Sequence, residues 1–212
     1  MAAPTLELFF DVVSPYTWFG FEQLLDSDYC AHYTPILRPA FLGGIMKATG
    51  NQPPATLPAR GAYMIHDLQR NARYFGLKLV SMPSNFPVST LKAQRLLALL
   101  STERPAILVP AARALWRAYW GDDRDISTDA VLLDVLVGVL SSGGSLKASD
   151  EATALLRQSG SEAAKKTLVA NTDAAIAAGA FGAPWFVLRK SPGAEPQSFF
   201  GSDRFTLIFQ EV

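Results

Sequence analysis

Read for the alternation of apolar and polar positions, the chain has strand-like runs near its two ends and a long stretch of helical period between them. From Leu6 to Val13 the residues are mostly apolar or β-branched, the pattern of a strand covered on both faces inside a sheet. Ser14-Pro15 ends it. Serine is a preferred helix N-cap, and proline suits the first helical position, where its missing N–H had no intrahelical partner to lose. A first helix is predicted from about Tyr16 to Leu25, packing Trp18, Phe19 and Leu24 or Leu25. After a break at Ser27-Asp28, Tyr33 to Leu42 reads as a second strand, closed by Gly43-Gly44. Strand, helix and strand in succession form a right-handed βαβ unit with parallel strands. Gly50 to Pro58 is too rich in proline and turn formers for helix or central strand, so it is a loop.

From about Ala59 the period becomes helical: Met64, Leu68, Ala72 and Phe75 fall on one stripe, which Gly76 stops. Pro83 and Pro87 predict a loop between Lys78 and Val88. A helix from about Ser89 to Leu100 carries Leu91, Leu96, Leu97 and Leu100. The next runs from Pro105 to Trp120 and bends at Pro110, which removes one backbone hydrogen bond. Its Leu108, Leu115, Trp116, Tyr119 and Trp120 face the core. Asp125-Ile126-Ser127 caps an apolar helix ending near Ser141; a short helix follows from about Ser149 to Gln158, and an alanine-rich one from Ser161 to Ala178. Strand character returns at Trp185 to Leu188 and, after a Ser191-Pro192-Gly193 turn, at Gln197 to Phe200, before a last helix from Phe205 to Phe209. One sheet assembled from both termini, with the helices inserted between its halves, is the implied architecture. The expected division is 1–58 for the N-terminal part of the sheet domain, 59–178 for the helical insertion and 179–212 for the C-terminal part.

Composition narrows the function. With 212 residues, 49% of them hydrophobic, the chain can bury a substantial core. Lys+Arg and Asp+Glu are 19 each, and no dense basic run appears, which argues against nucleic acid or an anionic membrane as partner. No apolar run approaches the ~20 residues of a bilayer span, and Met1-Ala2-Ala3-Pro4 leads straight into the first strand. Cys30 is the only cysteine, and His32 and His66 have no ligand spacing, so no structural metal is expected. A soluble intracellular protein follows, with cytoplasm, mitochondrial matrix and peroxisome not distinguished.

The chemistry concentrates at Ser14. A helix starting there presents backbone N–H groups and a hydroxyl at the carboxyl end of a buried strand, a place that favours negative charge. The βαβ start, the helical excursion and the ββα tail make a thioredoxin-like plan with an all-helical insertion. Thioredoxin-like oxidoreductases carry Cys-x-x-Cys at the first helix; here those positions are Ser14-Pro15-Tyr16-Thr17, so no dithiol cycle can run there. A serine O–H at a positive helix end suits hydrogen-bonding a thiolate that a ligand brings. Taken singly, each feature also has a purely structural reading: Ser14 and Ser202-Asp203 as caps, Gly50-Asn51 as a turn, Asp11 as a buried polar group satisfied by backbone.

Together and in order, Phe10-Asp11-Val12-Val13-Ser14-Pro15-Tyr16, Leu37-Arg38-Pro39, Leu42-Gly43-Gly44-Ile45-Met46-Lys47, Gly50-Asn51-Gln52-Pro53-Pro54, Tyr63-Met64, Asp67-Leu68, Leu115-Trp116, Gly179 to Pro184 and Phe200-Gly201-Ser202-Asp203-Arg204 resemble the kappa-class glutathione transferases. That class shares a family with 2-hydroxychromene-2-carboxylate isomerases. The resemblance implies a DsbA-like thioredoxin fold and glutathione as co-substrate. It makes Ser14, with Pro15 and Tyr16, the group at the glutathione sulfur. Ala183, where animal enzymes often carry leucine, would pair its backbone with the cysteinyl part beside a cis-Pro184. Ser202 and Asp203 would hold the γ-glutamyl end; Asn51 and Arg60, the latter in place of a usual lysine, the glycyl carboxylate. Tyr16, Trp18 and Phe41 are expected at the mouth of a cavity for a small apolar electrophile. The family's isomerase activity and a non-catalytic glutathione- or peptide-binding module are the alternatives. A homodimer is expected, on the added ground that the loop Gly43 to Pro58, as a solitary surface loop, needs a partner to order it.

Overall fold

The computed structural model describes residues 3–79 and 82–211, so Val80 and Ser81 of the predicted Lys78 to Val88 loop lie outside it. The chain order is β1 (Thr5–Phe10), α1 (Pro15–Leu24), α2 (Ser27–Cys30), β2 (Thr34–Pro39), α3 (Leu42–Thr49), α4 (Pro58–Tyr74), α5 (Leu91–Glu103), α6 (Pro105–Trp116), α7 (Asp129–Ser142), α8 (Ala148–Gln158), α9 (Glu162–Ala177), β3 (Trp185–Arg189), β4 (Gln197–Phe200) and α10 (Phe205–Glu211). The strands form one sheet in the order β2-β1-β3-β4. β1 pairs in parallel with β2 and antiparallel with β3, which pairs antiparallel with β4. The two termini thus build a single thioredoxin fold around the helical insertion.

The strand apolar on both faces is β1, and its alternation divides the core. Leu6, Leu8 and Phe10 pack into the larger cluster with Phe19, Phe21, Leu97 and Trp116. Phe9 faces the other way, onto Ala40, Ile45, Ala175, Trp185 and Val187. Trp116 joins the insertion to the sheet: its ring centroid lies 4.9 Å from that of Phe21, 5.7 Å from that of Phe10, and 6.3 Å from that of Trp18 in a stacked pair. Such aromatic pairs contribute about 0.5–1.5 kcal/mol each beyond the area they bury. The stripe Met64, Leu68 and Ala72 is buried along α4 as its spacing predicts.

Several boundaries differ from the sequence reading. The break at Ser27-Asp28 is a single helical turn, α2. The helix after Asp125 is capped by Thr128, whose side chain accepts the Val131 N–H, while Asp125 makes a turn by accepting from the Ser127 N–H. α6 runs through Pro110 to Trp116 and continues as a wider helical turn, Arg117–Gly121.

The largest difference is α3. Gly43-Gly44, read as the end of a strand, instead lies in the first turn of a helix that ends at Gly50 with φ +73°. The glycines are required by packing rather than by a break. A Cβ on Gly43 would stand 2.9 Å from the Phe41 ring, and one on Gly44 3.3 Å from both Phe41 and Thr172. The segment from Gly43 to Pro58 is therefore not a solitary loop: it is helix to Thr49, and Pro54–Thr56 forms a further tight turn. Formed within one chain, these two elements do not need a second subunit to order them.

Candidate functional site

Ser14 is the N-cap of α1, with extended backbone (φ −91°, ψ 117°), and its Oγ accepts the Thr17 N–H at 3.1 Å. Pro15 at the first helical position has no N–H. The Tyr16 N–H, next in line, has no acceptor among the described residues, so the positive end of the helix keeps one open donor. Because Thr17 occupies a lone pair of the serine, the hydroxyl hydrogen is free to point outward. In this structure it donates to the Ala183 carbonyl at a long 3.4 Å, a weak bond that a better acceptor can replace. Ser14 is 7% exposed.

The turn carrying Ser14 is held from several directions. The indole N–H of Trp116 donates to the Ser14 carbonyl at 3.1 Å and that of Trp120 to the Val13 carbonyl at 3.2 Å. Gln94, fully buried on α5, donates to the Phe10 and Ala40 carbonyls at 2.7 Å each and accepts the Val12 N–H at 3.4 Å. Beneath them Asp11 accepts the Val13 and Leu42 N–H groups and the Thr90 hydroxyl. Burial pushes its pKa up to about 6, against the lowering effect of those three bonds.

The Ala183-Pro184 peptide is cis, and the Gly201 N–H donates to the Pro184 carbonyl at 3.2 Å. Gly201 has φ +105°, and a Cβ there would stand 2.7 Å from Asp203 Oδ1, so the Asp203 carboxylate folds back over this glycine. Among the described residues Asp203 otherwise pairs only with its neighbour Arg204, at 3.2 Å and exposed to solvent. Asn51 reaches the same place from α3: its Nδ2 donates to the Phe181 carbonyl at 2.7 Å, and its Oδ1 accepts the Gln52 N–H at 2.8 Å. The fold thus gathers Ser14, Ala183 and Pro184, with Asn51 attached through Phe181 and Ser202-Asp203 through Gly201. Arg60 is not tied into this group. It is exposed in the first turn of α4 and makes no hydrogen bond or ion pair among the described residues.

Tyr16 faces α4, where its hydroxyl donates to Asp67 Oδ2 at 2.8 Å; Tyr63 donates to Oδ1 at 3.4 Å. Burial and the Asp67 carboxylate push the Tyr16 phenol well above its usual range, so it remains a proton donor. Trp18 is not at the mouth of the site. It is 2% exposed, stacked on Trp116, and its indole N–H donates to Glu22, which Arg113 also grips. What Trp18 lines is a separate cavity of about 690 Å³ toward the far end of α1, with Glu22, Phe75, Arg113 and Arg117; none of the residues expected to hold glutathione borders it.

Sequence reasoning did not single out Asp67, Thr90 and Gln94 as polar partners of the site. Gln94 carried a signal: an amide at a buried position between Leu91 and Leu97 in a leucine-rich helix needs partners inside the fold. Asp67 and Thr90 carried none beyond residue type. No group of three or more His, Cys, Asp or Glu among the described residues is arranged to hold a metal ion, and no helix is long and apolar enough to cross a membrane.

A serine caps the first helix where a dithiol member of the fold would carry cysteine, and it stands beside a cis-proline that opens β3: a thioredoxin-fold site without a redox pair. Residues 5–211 match the family model of the DSBA-like thioredoxin domain. The chain is 36% identical over 212 residues to glutathione S-transferase kappa 1 of Rattus norvegicus, covering 98% of this chain and 90% of that protein. With the Homo sapiens glutathione S-transferase kappa 1 the identity is 34% over 209 residues, covering 96% and 88%. The chain belongs to the kappa-class glutathione S-transferase family, within the DsbA-like thioredoxin fold. Among solved structures, a 2-hydroxychromene-2-carboxylate isomerase superposes with a TM-score of 0.76 at 22% identity, covering 98% of this chain and 93% of that one, a likeness of fold.

Proposed function

We propose that the protein is a glutathione transferase that activates the glutathione thiol at the start of α1 for attack on small, apolar electrophiles. The observation that carries this reading is the Ser14 hydroxyl: held at its acceptor side by the Thr17 N–H, it has a hydrogen to give, beside an open Tyr16 N–H and the cis-Pro184. A thiolate placed there accepts a charge-assisted bond from the hydroxyl in place of the weak one to Ala183, and the helix end favours its charge. A free thiol titrates near ~8.5, and each unit of lowering is worth ~1.4 kcal/mol; two units would turn a few per cent of thiolate at neutral pH into a majority. The thiol proton leaves to solvent. The sulfur then forms a bond to the electrophilic carbon, and the leaving group, such as a halide from a nitroarene, departs with the electron pair of the broken bond.

In this reading the Ala183 backbone pairs with the cysteinyl part of glutathione, and Ser202 and Asp203 hold the γ-glutamyl end, with Asp203 opposite its ammonium. Asn51, whose Nδ2 retains a second hydrogen, and Arg60, whose guanidinium is uncommitted, hold the glycyl carboxylate. Tyr16 and Phe41 border the electrophile. A detoxifying role follows from a substrate class of this kind. We also propose a homodimer, supported by the family likeness and by Leu57 and Tyr63, both more than half exposed beside Arg60; light scattering at micromolar concentration tests it, and the mass of one chain with full activity overturns it.

Conjugation of glutathione to a generic halogenated nitroarene, measured beside isomerisation of a hydroxychromene carboxylate in the same preparation, tests the main reading. Conjugation well above the uncatalysed rate is expected. Isomerisation alone assigns the family's other activity, and glutathione binding with neither reaction makes the protein a binding module.

A further inference from the structure

We propose that Asp11 is a positioning residue that sets the sulfur end and the glycyl end of the glutathione site relative to each other. The inference rests on the reading above, in which Ser14 and Asn51 hold glutathione. Asp11 is 1% exposed at the carboxyl end of β1. One oxygen, Oδ1, accepts the Val13 N–H at 3.0 Å, immediately before Ser14, and the Asp11 carbonyl accepts the Ser14 N–H at 3.1 Å. The other oxygen, Oδ2, accepts the Leu42 N–H at 2.9 Å and the Thr90 hydroxyl at 3.0 Å.

Leu42 opens α3, the helix whose far end delivers Gly50 and Asn51. That helix has no cap of its own, since Phe41 makes no side-chain cap bond. Its first N–H groups are instead satisfied from distant segments, Leu42 by Asp11 and Phe41 by Thr172. One carboxylate therefore ties the Ser14 turn to the start of α3 and, through Thr90, both to the insertion.

The arrangement needs a carboxylate. Two oxygens offer about four acceptor places to three donors, whereas a carboxamide has one acceptor oxygen and turns an NH₂ toward the donors on its other side. The groups facing Asp11 are the Val13 and Leu42 N–H groups and the Thr90 hydroxyl, with Gln94 of α5 bonded to the adjoining backbone; no charged side chain of the described residues is among the causes of its shifted pKa. The raised pKa, about 6, leaves Asp11 ionised at pH 7 and protonated at pH 5. A protonated carboxyl carries a donor in one of those places and loses its charge, so it holds the three partners more weakly.

S-Methylglutathione is the probe, because it has no thiol to titrate. Its binding to the full-length wild type, Asp11→Asn and Thr90→Val is measured by calorimetry at pH 5, 6 and 7, below each variant's unfolding temperature. The wild type is expected to bind about five- to tenfold more weakly at pH 5 than at pH 7, the worth of about one hydrogen bond. Asp11→Asn is expected to bind about five- to tenfold more weakly than wild type at pH 7 and to be nearly flat with pH; Thr90→Val should fall between them and keep the slope. A purely structural Asp11 would lower the unfolding temperature and leave affinity and slope as in the wild type, which overturns the inference. Should Asp11→Asn not fold, a wild-type affinity independent of pH overturns it as well. A wild type that binds no S-methylglutathione at pH 7 overturns the glutathione reading itself, and the inference with it.

Discussion

The turn at Ser14 and the segment at Ser202-Asp203 leave the same end of the sheet, yet they are built in opposite ways. Around Ser14, the carbonyls of Phe10, Val13 and Ser14 are each held by a buried side chain of the insertion, and the Val12 and Val13 N–H groups by Gln94 and Asp11. Asp203 is exposed and, among the described residues, pairs only with the adjacent Arg204. The difference teaches where precision is needed. On the proposed reading, charge that develops on the glutathione sulfur is stabilised by donors that do not have to reorganise, which a clamped turn provides. On the same reading, the charged γ-glutamyl end is met by an exposed carboxylate, which contributes to ground and transition states alike.

The strongest way to break the contrast is to remove the clamp. Trp116→Ala deletes a fully buried indole and the donor to Ser14, and we expect a loss of about 3–5 kcal/mol in unfolding free energy. Urea denaturation followed by far-ultraviolet circular dichroism measures it, and a loss below about 1 kcal/mol would show that the insertion does not hold the turn.

Asp11 sharpens the comparison through pH. Its folded pKa of about 6 lies above the ordinary aspartate value of 3.8, so the folded state takes up a proton more readily than the unfolded chain. The group's contribution to stability is then fully present below about pH 4 and is lost as pH rises through 6, in total by roughly 3 kcal/mol for a shift of about two units. Wild type minus Asp11→Asn, compared by denaturation at pH 4 and pH 7, should show this slope. A difference independent of pH would mean that Asp11 titrates normally.

Ser14→Ala is expected to leave the fold intact and, on the proposed reading, to remove the donor to the sulfur. The apparent thiol pKa of bound glutathione should rise by about one unit, with about a tenfold lower kcat/KM at pH 6.5. Overlaying pH–rate profiles of mutant and wild type would reduce Ser14 to a helix cap. The smallest effect is expected at the other end of the comparison: Asp203→Ala should raise the KM for glutathione about three- to fivefold and leave kcat at saturation within twofold of the wild type. A fall in kcat instead would place Asp203 in the transition state and erase the distinction drawn here.

How far the sequence could be read depended on the range of the interactions involved. β1 announces itself by its two-sided apolar run, α1 by Ser14-Pro15, and α4 by the Met64, Leu68, Ala72 stripe, because period and capping are local properties of neighbouring residues. Gly43-Gly44 misled for the same reason. Read locally the pair is a breaker, but the helix it opens is capped by Asp11 and Thr172, which are 31 and 131 residues from the groups they bind. Trp18 likewise looked like a site residue by its nearness to Ser14, until packing turned it onto Trp116.

Sequence alone therefore determined the strands, most helices, the absence of a Cys-x-x-Cys pair and the place of Ser14 as the cap of α1. Only the tertiary structure decided that Asp11, Gln94, Trp116 and Trp120 converge on the Ser14 turn, that Asn51, just beyond α3, reaches the Phe181 carbonyl, and that Arg60 makes no hydrogen bond or ion pair among the described residues. The physical reason is that a buried donor or acceptor must be satisfied by whichever group the folded chain brings within about 3 Å, and that partner has no fixed spacing along the sequence.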